Sequence, residues 1–182
     1  MTIAPLSDVL QYTNEAVVLR FMETWDLPRP DADDLFVQTN KWLWLTATTA
    51  TMPDAPPLAI SQSTKLLDEM WHTFVLFTHD YVTYCDRYFG QYLHHTPTPR
   101  AEYDAQIESY ERDPAAHMAR LEATFTRQYE LVHDLLGEDT LVKWYGEYAD
   151  RYTDEYMRQI WRWSFSPYDT RVRQSLRIAA AG

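Results

Sequence analysis

Apolar residues recur three and four positions apart between clusters of proline, and this spacing predicts helices. The proline clusters lie at positions 28–30, 53–57 and 97–99. The sequence contains only four glycines and lacks the Asn-Gly and Asp-Gly pairs that β-hairpins favour. These observations predict an all-α, single-domain helical bundle of about six to eight helices.

Capping residues give approximate bounds for these helices. Ser7, Thr78, Asp113, Asp139 and Thr153 are the expected N-caps, and Gly90 and Gly137 are the expected stops. The later part of the second helix, TATTAT, is a poor helix former and is expected to fray. The predicted helices span 7–23, from 31 or 33 to beyond 45, 61 or 63 to 77, 79–89, 99–112, 114–136, 139–148 and 153–163. We expect a helical domain over residues 1–165 and a polar C-terminal tail over 166–182.

Charge and cysteine content narrow the classes of partner and compartment. The 16 basic and 27 acidic residues give a net charge of −11, which disfavours binding to nucleic acid and to anionic membranes. The single cysteine, Cys85, excludes an intrachain disulfide and a cysteine-rich zinc site. We see neither a signal-peptide pattern nor an apolar stretch long enough to span a bilayer. A cytoplasmic location is therefore the expectation.

The stretch from Leu67 to Thr98 carries the main candidate for chemistry. Asp68 and His72 lie four residues apart on a predicted helix and so share one face. The adjacent histidines His94 and His95 follow in an irregular segment that the next helix could fold back toward this face. Three such ligands with an open position suit a catalytic zinc or iron ion. The sequence thus predicts a metal site of Asp68, His72 and His94 or His95, acting on a small molecule or peptide.

A structural role for the same residues is the alternative. Asp68 could simply orient His72, and His94 and His95 could be exposed loop residues. The protein would then be a non-catalytic interaction or accessory protein, with a protein partner or a second copy as its target. Both interpretations stay open at this point.

The order of residues in this stretch also resembles a known family. The pattern comprises Asp68-x-x-Trp71-His72, Leu76-Phe77-Thr78-x-Asp80-Tyr81, Cys85, Phe89-Gly90 and Leu93-His94-His95-x-Pro97. It is similar to the core of the glycine-rich domain-containing protein-like family, and closest to its short bacterial members. The resemblance implies a helical fold and no assigned activity. Longer members carry Trp-His-x-His, whereas Phe74 takes the place of the second histidine here.

Two Glu-x-x-His spacings suggest a different metal centre. Glu69 precedes His72, and Glu130 precedes His133, by three residues. Helical bundles with di-iron centres use two such motifs together with one glutamate from each of two other helices. Further glutamates on other predicted helices could complete the set: Glu15, Glu23 and Glu108. A di-iron enzyme is therefore a second hypothesis.

The C-terminal part of the sequence has an unusual aromatic stripe. Tyr145, Tyr148, Tyr152 and Tyr156 recur at spacings of three and four residues. Such a stripe favours packing on the core, with a ligand groove or partner surface as the alternative. Cys85 lies within an aromatic helix, which favours a packed thiol over a nucleophile.

Overall fold

The predicted all-α fold is confirmed over the residues that the structure describes. The computed structural model describes residues 3–162, and within this range the only β-type pairing is an isolated bridge between Trp25 and Trp161. The proposed tail from Ser166 lies outside the described residues. Within the same range, we find no helix that combines the length and the apolar character required to cross a membrane.

Two longer connections, residues 50–61 and 90–99, interrupt the order of helices after α3 and after α5. A 3-10 turn, Gln62–Thr64, precedes α4, and a π-helical turn, Lys143–Glu147, separates α8 from α9. The helices are α1 (Leu6–Val9), α2 (Glu15–Thr24), α3 (Arg29–Thr49), α4 (Lys65–Leu76), α5 (Thr78–Phe89), α6 (Arg100–Arg112), α7 (Pro114–Leu136), α8 (Glu138–Val142), α9 (Tyr148–Arg151) and α10 (Asp154–Ile160).

The prediction of one continuous helix over 7–23 is wrong, because the chain breaks between α1 and α2. Asn14 caps α2 by accepting a hydrogen bond from the Val17 amide, and its side chain also donates to Asp80 at 2.9 Å. The ring of Tyr12 packs among aromatic side chains of α3, α4 and α5. These long-range contacts replace the helical turn that local spacing predicted.

The expected fraying of α3 is also wrong, because the helix continues through its threonine-rich end to Thr49. Ala47 and Thr49 are buried there. The hydroxyls of Thr46 and Thr49 donate to the carbonyls of Trp42 and Leu45, four residues earlier. Burial of this end against the core outweighs the low intrinsic propensity.

Several predicted helix ends are confirmed, but three of the five expected N-caps are not. Asp113 and Thr153 accept hydrogen bonds from backbone amides three residues later, as N-caps do. Gly90 and Gly137 have positive φ, at 63° and 87°, where their helices end. Ser7 is not a cap, because α1 already begins at Leu6, after Pro5. Thr78 is the first residue of α5, and Gly137 precedes α8, where Asp139 was the expected cap.

The core lies where α2, α3, α4 and α5 meet, and the segment from α8 to α10 adds to it. Its largest fully buried side chains are mostly aromatic and include Trp144, Tyr81, Tyr84, Phe21, Phe74 and Phe89. By contrast, α6 has no buried residue. The core thus holds in fixed positions both α4, which carries Asp68 and His72, and α5, which leads into the segment with His95.

Candidate metal centre

Helix α4 places the two candidate ligands on its outer side. Most of its apolar side chains, including Trp71 and Phe74, are buried against the core. Asp68 and His72 lie one turn apart on the other side, with side chains 18% and 51% exposed. The amphipathic pattern of α4 therefore orients the carboxylate and the imidazole together toward the surface.

The segment after α5 brings a histidine back onto α4. Trp71 donates its indole N–H to the Tyr81 hydroxyl at 2.9 Å, and Tyr81 donates in turn to the Leu93 carbonyl at 2.7 Å. This chain of two hydrogen bonds holds Leu93, which is itself buried. His95, two residues later, stacks on the Trp71 ring with centroids 4.0 Å apart.

Three ligand-type side chains converge as a result. His95 Nε2 lies 2.9 Å from Asp68 Oδ1, and His72 Nε2 lies 3.7 Å from Asp68 Oδ2. One ligand atom from each of Asp68, His72 and His95 lies within 4.8 Å of the others. Ligand atoms about 2 Å from one tetrahedral ion lie roughly 3.3 Å apart. Small side-chain movements would therefore suffice for these residues to share an ion.

Glu69 lies beside His72 on α4, on the Nδ1 side of its ring. Its Oε2 atom lies 3.7 Å from His72 Nδ1. At this separation the carboxylate adds negative charge beside the imidazole without a hydrogen bond to it. On sequence grounds Glu69 was only a di-iron candidate, and its place beside the Asp68 and His72 group was not predicted. Its position three residues before His72 on one helix was the available signal.

His94 does not join the group. Its ring is exposed and contacts Tyr92 edge-on, with centroids 4.8 Å apart. Of the four predicted residues, the structure therefore brings together Asp68, His72 and His95. Backbone alternation after the anchored Leu93 carbonyl turns one of the two adjacent histidines inward and the other outward.

The structure does not assemble the di-iron arrangement. Glu130 and His133 on α7 are exposed, and Glu15 pairs with Arg29 instead. Within residues 3–162, the group of Asp68, His72 and His95 is the only set of three or more histidine, cysteine or acidic side chains that could share an ion. The two Glu-x-x-His motifs thus lie on helices that do not face one another across a common centre.

The aromatic stripe belongs mainly to the core. Tyr148 and Tyr152 are buried, and Tyr145 and Tyr156 are partly buried and pack against the same core. The Cys85 thiol is also buried, and burial raises its pKa. These contacts agree with the packing role that the spacing favoured.

Comparison with known proteins adds a family match over part of the chain. A family model described as UCP032817-like matches residues 50–111, about a third of the sequence. The matched range includes α4, α5 and all three converging residues. Neither the curated proteins nor the solved structures contain a significant match. The resemblance to the glycine-rich domain-containing protein-like family stays a prediction.

Proposed function

We propose that this protein binds a divalent metal ion through Asp68, His72 and His95 and uses it to act on a small molecule or peptide. The observation that carries the proposal is the convergence of three ligand-type side chains from two separate segments. Hydrogen bonding and stacking through Trp71 and Tyr81 support it, because they preorganise the distant ligand, His95.

The ligand set suits zinc or iron. Two imidazoles and one carboxylate are borderline ligands that both ions accept. Three protein ligands leave at least one coordination position for water or substrate. His72 is about half exposed, so the open side of the site would face solvent. A metal in such a position activates water or polarises a carbonyl group.

A structural role is the competing hypothesis, and a specific contact favours it. The 2.9 Å hydrogen bond between His95 and Asp68 already ties the segment after α5 to α4. In that case the histidines stabilise the fold without an ion, and the protein is a non-catalytic accessory or interaction protein. The cytoplasmic location and the absence of nucleic-acid and membrane partners stay predictions under either hypothesis.

Metal analysis of protein purified without a histidine tag separates the two hypotheses. We expect close to one equivalent of zinc or iron in the wild type, and a large loss of metal in His72→Ala and His95→Ala. His94→Ala is the matched control, because it removes an adjacent imidazole that lies outside the group. Circular dichroism of each variant checks that the helices persist.

The thermal stability gives a second measurement. A metal at a concentration of 100 times its dissociation constant stabilises the folded state by about 2.7 kcal/mol if it binds only that state. We expect added zinc or ferrous ion to raise the melting temperature of wild type and His94→Ala, but not of His95→Ala. The structural role would be supported instead by two results together. The wild type would be metal-free with a melting temperature that neither ion changes, and His95→Ala would be less stable than the wild type.

A further inference from the structure

A second polar cluster lies between α3 and the segment from α8 to α9, apart from the candidate metal centre. Asp34, Gln38 and Lys41 are four and three residues apart on α3 and so share one face. Lys143 and Tyr148 face them from the neighbouring segment. Of these residues, only Tyr148 was a candidate on sequence grounds.

The π-helical turn brings the side chains of Lys143 and Tyr148 to the same carboxylate, that of Asp34. Lys143 Nζ lies 2.9 and 3.0 Å from the two Asp34 oxygens, and the Tyr148 hydroxyl donates to Asp34 Oδ2 at 2.7 Å. Residues five apart on an α-helix point roughly 140° away from each other. A π-helical turn bonds residue i to i+5 and so brings them onto one face. Turns of this kind occur frequently at functional sites.

The hydrogen bonds from Lys143 and Tyr148 occupy the Asp34 carboxylate, and Lys41 bonds a neutral hydroxyl instead of a carboxylate. Gln38 also donates to Asp34, at 3.2 Å. The Lys41 ammonium donates to the Thr140 hydroxyl at 2.9 Å. Within residues 3–162, we find no carboxylate at ion-pair distance from Lys41. The cluster therefore holds two amines, of which one is neutralised directly by Asp34.

The surroundings of Lys41 make its ammonium form less stable than that of an exposed lysine. The side chain is partly buried, which penalises the ammonium form. Burial, followed by the neighbouring Lys143 ammonium, lowers the pKa of Lys41, and these two effects outweigh the carboxylates of Asp34 and Asp139, which act to raise it. A lysine that is desolvated beside a second cation is a recognised form of activated amine nucleophile.

We propose that Lys41 is a nucleophilic amine that condenses with small carbonyl compounds, such as short aldehydes, to form an imine. The amine nitrogen adds to the carbonyl carbon, and the π electrons of the C=O bond move to oxygen. The two protons of the amine end on that oxygen, which leaves as water when the C=N bond forms. No oxidant or reductant is consumed. The proposal does not depend on the metal centre on α4.

The lysine content of the chain makes a direct test possible. The sequence has three lysines, namely Lys41, Lys65 and Lys143. Full-length protein at neutral pH would be treated with acetaldehyde and cyanoborohydride, which reduces an imine to a stable alkylamine. Digestion with a protease that does not cut at lysine, followed by mass spectrometry, would give the rate of labelling at each lysine.

Accessibility and nucleophilicity predict opposite results in this experiment. Lys65 is exposed, so accessibility alone predicts that Lys65 reacts faster than the partly buried Lys41. We expect Lys41 to be labelled several times faster than Lys65, with its rate reaching half-maximum at a lower pH. Labelling of Lys41 at a rate equal to or below that of Lys65 would overturn the proposal.

Two substitutions at Lys143 test the role of the second cation. Lys143→Arg keeps both the charge and the pair with Asp34, and we expect it to retain preferential labelling of Lys41. Lys143→Met releases Asp34 to pair with Lys41, and we expect the preference to fall toward that of Lys65. An unchanged preference in a folded Lys143→Met protein would contradict the proposed activation. Should Lys143→Met fail to fold, the pH profiles of Lys41 and Lys65 in the wild type still decide the proposal.

Discussion

Trp71 is the residue on which the orientation of α4, and therefore the candidate metal centre, depends. Its side chain is 6% exposed. Its ring supports His95, and its indole N–H donates to Tyr81. Replacing a large buried aromatic side chain with alanine typically costs about 3–5 kcal/mol, because apolar burial is lost and a cavity remains. We expect Trp71→Ala to lower the free energy of unfolding by this amount.

A milder substitution separates packing from hydrogen bonding at the same position. Trp71→Phe keeps an aromatic ring but loses the donor to Tyr81 and some volume, so we expect a loss of about 1–2 kcal/mol. A double-mutant cycle with Tyr81→Phe isolates the shared hydrogen bond, whose coupling energy should be about 1 kcal/mol.

Urea unfolding followed by far-UV circular dichroism is the suitable assay, since seven tryptophans would complicate a fluorescence signal. Leu76→Ala is the control on the same helix. Leu76 is 71% exposed, and its substitution should change the free energy of unfolding by no more than about 0.5 kcal/mol. If Trp71→Ala cost less than about 1 kcal/mol, α4 could not turn this side chain into the core, and the proposed metal centre would be refuted with it.

Three further predictions concern other parts of the fold. Burial of Asp34 acts to raise its pKa, but hydrogen bonds from its partners outweigh burial and the pKa is lowered. The stability that this carboxylate contributes is therefore present above about pH 4 and is lost as the pH falls further. Urea titrations at several pH values should show wild type more stable than Asp34→Asn near pH 6, with a difference that shrinks in acid, and a pH-independent difference would refute this. Gln128 is fully buried, and its side chain forms hydrogen bonds with both the amide and the carbonyl of Ala59. Gln128→Ala should therefore lower the free energy of unfolding by about 2–3 kcal/mol in the same assay. A loss below about 0.5 kcal/mol would show that water replaces these bonds. Gly137→Ala should cost about 1–3 kcal/mol, because φ of 87° with ψ of 164° is a backbone conformation essentially restricted to glycine. Gly146→Ala places its new methyl group at ordinary contact distance and should cost less, and equal losses would contradict the backbone argument.

Local sequence was sufficient for the helical class and for several helix ends. Asp113 and Thr153 could be assigned as caps because a side chain that accepts from an amide three residues later needs no distant partner. The shared face of Asp68 and His72 was predictable for a similar reason, since one helical turn fixes it. The break at Asn14 was not predictable, because it depends on contacts with side chains far away in the chain, including Asp80.

The sequence by itself determined the helical class, the amphipathic orientation of α4 and the residue types available for a metal site. Only the tertiary structure decided that His95, rather than His94, meets Asp68. That choice depends on the hydrogen-bond chain from Trp71 through Tyr81 to Leu93, which joins two helices and the segment after them. The pairing of Asp34 with Lys143, separated by 109 positions, was likewise invisible in the sequence. Periodicity records which face of a helix is buried, but it carries no information on which distant segment packs against that face.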